Sequence, residues 1–253
     1  MNYPFFYDFI FKLDVNYEIL YLYCTFILNM KTVVSLFFLL GFIISSNAQK
    51  DTLNVGDRYA DDQLYMAITY AQFSNQPSTI TRSRFSYAFS TGFLKDIILN
   101  KKGTFSVALG VGYGFDFFNH ELKVSEINNT TVFDTSENSS SNVFKSHNVE
   151  FPLEIRWRTS TAKKYDFWRI YTGVKFLYNF SNSFSNTENE INLNYKEVSA
   201  YRKLQYGLTF STGYTEFNAY LFYNLTPIFE NATINGEDIN TRIIKFGLIF
   251  YIL

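Results

Sequence analysis

Hydrophobic residues recur at every second position over eight separate stretches of this chain. The clearest is 104–117, TFSVALGVGYGFDF. One register holds Phe105, Val107, Leu109, Val111, Tyr113, Phe115 and Phe117; the other holds Ser106, Ala108, Gly110, Gly112, Gly114 and Asp116. Side chains on a β-strand point alternately to opposite faces, whereas a helix would scatter both sets around its circumference. The small register suits a crowded interior. The bulky register must then face outwards, into lipid, which is the pattern of a transmembrane β-barrel.

The same alternation predicts strands over 63–73, 85–94, 147–159, 167–180, 204–213, 217–225 and 242–253. The stretch 217–225 is the least regular, because Tyr220 and Phe222 put aromatics on its second face as well. Connections alternate long and short along the chain, as outer loops and periplasmic turns do in such barrels. In the turn region 95–103, Ile97 to Leu99 are expected to tuck beneath the barrel. The longest loop, 118–146, is polar and low in complexity, and is expected to bury too little apolar area to fold alone. Pro152 lies inside a predicted strand and cannot donate to a ladder, so a bulge or local gap is expected there. Within these boundaries no Asp, Glu, Lys or Arg falls on a lipid face, where one would cost about 2–4 kcal/mol at mid-bilayer. The fold class expected is all-β: a closed antiparallel transmembrane barrel of eight strands with long outer loops and short periplasmic turns.

The N-terminus divides differently. Residues 30–48 carry Lys31, a short apolar run and Ser46-Asn47-Ala48, the layout of a secretory signal peptide with a small-x-small cleavage site. The apolar run is shorter than the roughly 20 residues of a spanning helix. Residues 1–29 precede an internal Met that opens this signal, and read as an upstream mis-start. Residues 49–62 form a polar periplasmic lead-in, and 63–253 the barrel domain.

Composition agrees with a membrane barrel. Phe and Tyr number 29 and 20, and aromatics reach 20 % of residues, enough for two interfacial girdles. The net charge of −1 gives no electrostatic reason to expect nucleic acid. Cys24 is the one cysteine and precedes the barrel, so the barrel has no disulfide or Cys-metal site. No cofactor or metal is expected.

Eight strands enclose an interior that side chains just fill, so an open pore is not expected. Glu150, Glu154, Arg156, Arg158, Arg169 and Lys175 all fall on the predicted inner face. Buried charges must pair, so these six are expected to form an ion-pair network that plugs the lumen. A second constellation lies in the longest loop, where His120 and His147 flank Asp134 and Ser139 to Ser141. Ser, His and Asp can perform acyl transfer when they converge. This leaves a surface hydrolase or acyltransferase as the alternative reading. GVGYG at 110–114 is not a phosphate loop, since no helix and no suitably spaced Lys follows.

The hairpin FSYAFSTGFLKDIILNKKGTFSVALGVGYGFD, the hairpin VEFPLEIRWRTSTAKKYDFWRIYTGVKFLY and the terminal GLIFYIL resemble the PorT-like outer-membrane β-barrel proteins of Gram-negative bacteria. RWRTST and FWRIYTG are the more specific segments. The resemblance implies an outer-membrane location, eight strands, and no catalytic residue to carry over. It leads to a non-enzymatic outer-membrane protein, structural or partner-binding, accessory to protein secretion or surface assembly. Its expected partners are outer-membrane lipid, secretion or envelope proteins, and the barrel-assembly machinery during insertion.

Overall fold

The computed structural model describes residues 62–252, apart from 79, 81–83, 101, 128–129, 136–140, 160–167, 189 and 216. These lie in the compact unit Leu53–Leu253. The expected mis-start, signal peptide and most of the lead-in fall outside the described residues, as do Ser139 and Ser140.

The strands are β1 (Gln63–Ser74), β2 (Tyr87–Ile98), β3 (Phe105–Asn119), β4 (Leu122–Ile127), β5 (Thr130–Thr135), β6 (Ser141–Arg158), β7 (Trp168–Glu188), β8 (Ile191–Lys196), β9 (Leu204–Tyr214), β10 (Phe217–Asn224), β11 (Thr233–Ile234), β12 (Glu237–Asp238) and β13 (Arg242–Ile252). Eight of them form the barrel, in the order β6-β3-β2-β1-β13-β10-β9-β7, and β6 pairs with β7 to close the ring. All pairings are antiparallel. Closure removes every open strand edge from the membrane-spanning region, which is what lets a sheet stand in lipid without water.

Burial follows the two-residue period. Leu64, Leu109 and Leu208 are about half exposed on the outer face, while Ala67, Ala108 and Tyr65 are buried inside. Outward Tyr87, Phe115, Phe117, Tyr113 and Phe180 cluster towards the end with long connections. Trp168 packs on Tyr214, and Phe217 on Phe250, at the other end.

The predicted strand 217–225 is β10, and its second aromatic set has a use. Tyr220 and Phe222 point into the lumen, where their rings lie 5.3 and 5.4 Å from the ammonium groups of Lys175 and Lys245.

Three expectations need correction. First, β2 runs on to Ile98, so Ile97 and Leu99 are exposed rather than tucked beneath the barrel. The ladder with β3 continues to Ile98↔Ser106, and a tight turn on Gly103 (φ 70°) closes it. Second, two cations stand on outward registers: Lys95 on this longer strand, which pairs with Asp62, and Arg242, the first residue of β13. A long aliphatic stem lets such a residue keep its charge in water beside apolar neighbours.

The local gap expected at Pro152 is present, although Pro152 itself sits in register opposite Lys175 on β7. The gap it makes is on its other side, where the β3–β6 ladder skips the positions between Leu109↔Leu153 and Gly112↔Glu150. The bulge in β6–β7 lies instead at His147/Asn148, where Phe180 is the extra residue on β7.

Third, 118–146 is not a structureless loop. β3 and β6 extend beyond the apolar band, and β4 and β5 form a hairpin. The cause is an inversion of polarity. Above the band, inward positions become apolar (Phe118, Leu122, Val124, Phe144, Phe184) and outward ones polar (Lys145, Ser183, Ser185). Water rather than lipid surrounds this part, so the hydrophobic effect drives greasy groups inwards. The resulting core also takes in Tyr201, Ile228, Phe229, Ile234 and Ile239 from the outer connections.

Candidate functional site

Inward positions of β2, β3, β6, β7 and β13 place nine charged side chains in the lumen: Asp96, Asp116, Glu150, Glu154, Arg156, Arg158, Arg169, Lys175 and Lys245, each at most 6 % exposed. They form three tiers.

At the periplasmic end, Asp96 receives Arg156 (3.4 Å) on one carboxylate oxygen and Arg158 (3.0 Å) on the other. Glu154 accepts from Arg156 Nε at 3.0 Å, and Ser106 donates to Asp96 at 2.6 Å. The Arg156 guanidinium lies 4.8 Å from the Tyr171 ring. Arg158 Nε donates to the Gly103 carbonyl, tying the β2–β3 turn to the tier. Arg169 stands at this rim, donating to the Thr215 carbonyl at 2.6 Å with its guanidinium 5.8 Å from the Tyr251 ring.

In the middle, one oxygen of Glu150 accepts from Lys175 (2.7 Å), Ser90 (2.5 Å) and Tyr65 (3.1 Å). Two glycines of the GVGYG run make the room. A Cβ on Gly112 would come 2.0 Å from the Tyr65 hydroxyl, and one on Gly114 2.5 Å from Glu150 Oε1. The small register of 104–117 is therefore a cradle for side chains from the nearby strands β1 and β6. At the outer end, Asp116 accepts from Lys245 (2.5 Å), Ser146 and Asn148. The cavity left beside Glu150, Lys175 and Lys245 has room for about one water.

Above these tiers an aromatic column closes the mouth. Phe73 stacks on Phe118 (4.2 Å), Phe118 on Phe144 (5.7 Å) and Phe144 on Phe184 (4.3 Å). Phe229 and Tyr201 close against Phe184.

All six lumen residues named from the sequence lie in this interior. Asp96, Asp116 and Lys245 belong with them: Asp96 pairs with Arg156 and Arg158, and Asp116 with Lys245. Asp96 was hidden because β2 outlasts its predicted end; its even number, continuing Ser86, Ala88 and Ser90, is the signal that places it inside. Asp116 and Lys245 stand on inward registers, but nothing local in the sequence shows that β3 and β13 bring them together across the lumen.

The loop constellation does not assemble. His120 is buried in the cap against Phe73, with no hydrogen-bond partner for either ring nitrogen among the described residues. Its imidazole is held well below the usual range, near 3, by burial. His147 is on the outward face, its Nδ1 2.6 Å from the Tyr113 hydroxyl with Phe115 and Phe180 alongside. Asp134 is exposed on β5 and binds the amide of its neighbour Thr135.

A closed eight-stranded barrel with an apolar outer band and charged interior defines an integral outer-membrane protein. A family model described as "Outer membrane protein beta-barrel domain" matches residues 47–230, and the chain belongs to that family. The match ends before β13, yet β13 is the strand that joins β1 to β10. No curated protein matches the chain. Among the described residues no helix is long and apolar enough to cross a membrane; the crossing is made by strands.

Proposed function

We propose that this protein is a non-conducting, non-enzymatic outer-membrane barrel that presents its folded outer cap to another envelope protein. One observation carries the reading: the lumen is filled twice, by the paired charges and by the aromatic column of the cap. A channel needs a continuous aqueous path. Here the path is blocked by groups that hold one another. The surface above the bilayer is then what remains for function. Ile127, Val132 and Ile191 on the β4–β5 hairpin and β8 are 58 %, 41 % and 62 % exposed there, and apolar side chains gathered on a small surface mark interaction sites.

The resemblance to PorT-like proteins suggests the finer role, an accessory of protein secretion or surface assembly. Acyl transfer by residues of 118–146 is disfavoured by the placement of His120 and His147 on opposite sides of the barrel wall. The domain reading goes with this proposal: 1–29 an upstream mis-start, 30–48 a cleaved signal, and 49–62 a periplasmic lead-in. Sequencing the N-terminus of the cell-made protein checks it, with Gln49 expected first.

The test is conductance across a planar bilayer with the purified folded barrel, together with a secretion and envelope-integrity assay of a deletion strain. We expect no unitary conductance, and complementation that survives alanine at His147 or Asp134 but not removal of the β4–β5 hairpin. Steady open-channel currents, or loss of complementation on His147→Ala with folding intact, would overturn the reading.

A further inference from the structure

We propose that the outward face of β6, β7 and β8, just above the apolar band, is a binding site for the phosphate of an anionic outer-leaflet lipid. Lys145, Ser183 and Lys196 form it, with His147 directly below.

The site follows from register. Read towards the outer end, the outward residues of β6 are Trp157, Ile155, Leu153, Phe151 and Val149, then His147 and Lys145. The band ends at Val149, and Lys145 stands two residue pairs higher, about 13 Å along the strand, which is headgroup depth. Lys145 pairs with Ser183 on β7, and Ser183 pairs with Lys196 on β8. Directly paired residues share a face, so two ammonium groups flank one hydroxyl. Their backbones are two interstrand spacings apart, about 10 Å. Flexible four-carbon stems can close that distance onto one phosphate lying over Ser183.

The charges there are uncompensated by protein. Among the described residues neither Lys145 nor Lys196 is in an ion pair, and Lys145 has only the Phe117 ring, 5.9 Å away. Two other cations outside the lumen do have carboxylate partners: Lys95 has Asp62 and Arg202 has Glu230. His147 is anchored through Nδ1 to Tyr113, and its Nε2 has no partner among the described residues. Phe115, Tyr113 and Phe180 around it form an apolar floor continuous with the lipid-facing band. That continuity favours a lipid over a soluble anion or a protein: the same molecule can place acyl chains on the band and its phosphate on the lysines. Basic residues at a membrane surface attract anionic headgroups in this way. The inference rests on the outer-membrane location and is independent of whether the cap binds a partner.

The experiment uses the full mature chain, folded in a neutral detergent. It is titrated with a bisphosphorylated glucosamine-disaccharide lipid, and bound lipid is counted by native mass spectrometry. Phosphatidylcholine and inorganic phosphate are run in parallel. The wild-type barrel is expected to hold one anionic lipid. K145A/K196A should weaken it at least tenfold, while K145R/K196R keeps it within about threefold. Heat-modifiable migration of each variant verifies that the barrel is folded. Equal retention by K145A/K196A, equal binding of phosphatidylcholine, or an effect of free phosphate as large as that of the lipid would overturn the proposal. So would finding the two lysines protected by a bound envelope protein but not by the lipid.

Discussion

Lys175 Nζ on β7 lies 2.7 Å from Glu150 Oε2 on β6 in the middle of the barrel, although their backbones are not paired: Glu150 faces Leu177, and Lys175 faces Pro152. The contact is diagonal, and it places a full positive charge among Tyr65 and Tyr220. Breaking such a pair from one side leaves the other charge buried without compensation, at about 3–5 kcal/mol. E150A should therefore destabilise the barrel by that order, read as the shift in urea midpoint of the refolded protein. E150L/K175M should recover most of the loss. A double variant as unstable as E150A would show that the pair is not the unit.

Gly112 should not accept a side chain. G112A brings a methyl against the Tyr65 hydroxyl and the Thr91 carbonyl, and overpacking of this kind costs about 1–3 kcal/mol. Adding Y65F should change little, since ring and backbone still crowd the site. V111A, on the lipid face of the same strand, should not show the steric effect. Urea midpoints of the three variants compare them directly.

The cap is expected to loosen in acid. His120 is buried neutral, with its value pushed down to about 3, whereas in an unfolded cap it protonates near the ordinary 6.5. The cap is thus fully stable above about pH 6.5 and loses roughly 1.4 kcal/mol per pH unit below it, until the folded imidazole itself protonates. Hydrogen exchange at Leu122 and Val124 should accelerate between pH 6.5 and 4. H120F should flatten that dependence.

Cap and lumen are separate plugs. F144A removes a ring stacked between Phe118 and Phe184 and should cost the cap about 3–5 kcal/mol. Protease cleavage in the outer connections should rise. Conductance should stay absent, because the ion-paired tiers lie below. Currents in F144A would mean that the aromatic column alone seals the barrel.

The alternation of Val107 to Phe117, and of the other strands, made the barrel, its facing and the burial of Glu150, Arg156 and Lys175 legible in the sequence alone. The reason is physical: a strand's period is two, and lipid on one side with a crowded lumen on the other imposes opposite demands on the two registers. Strand ends were less legible. Asp96 and Lys95 lie where β2 passes its last strongly alternating residues and the ladder with β3 simply continues.

The outer half of the structure was decided by tertiary contacts. Phe144 and Phe184 sit in stretches dominated by Ser and Asn and look isolated there, while Phe118 falls in the inward register just past the end of its predicted strand. They become a core only when the antiparallel ladders of β3, β6 and β7 continue out of the membrane, pair Phe118 with Phe144 and Phe144 with Phe184, and set the three rings face to face. Asp116 and Lys245 meet for the same reason: they are 129 positions apart in the chain, and ring closure through β13 makes them neighbours. Local periodicity records which solvent each face meets; which side chains meet one another depends on how the barrel closes.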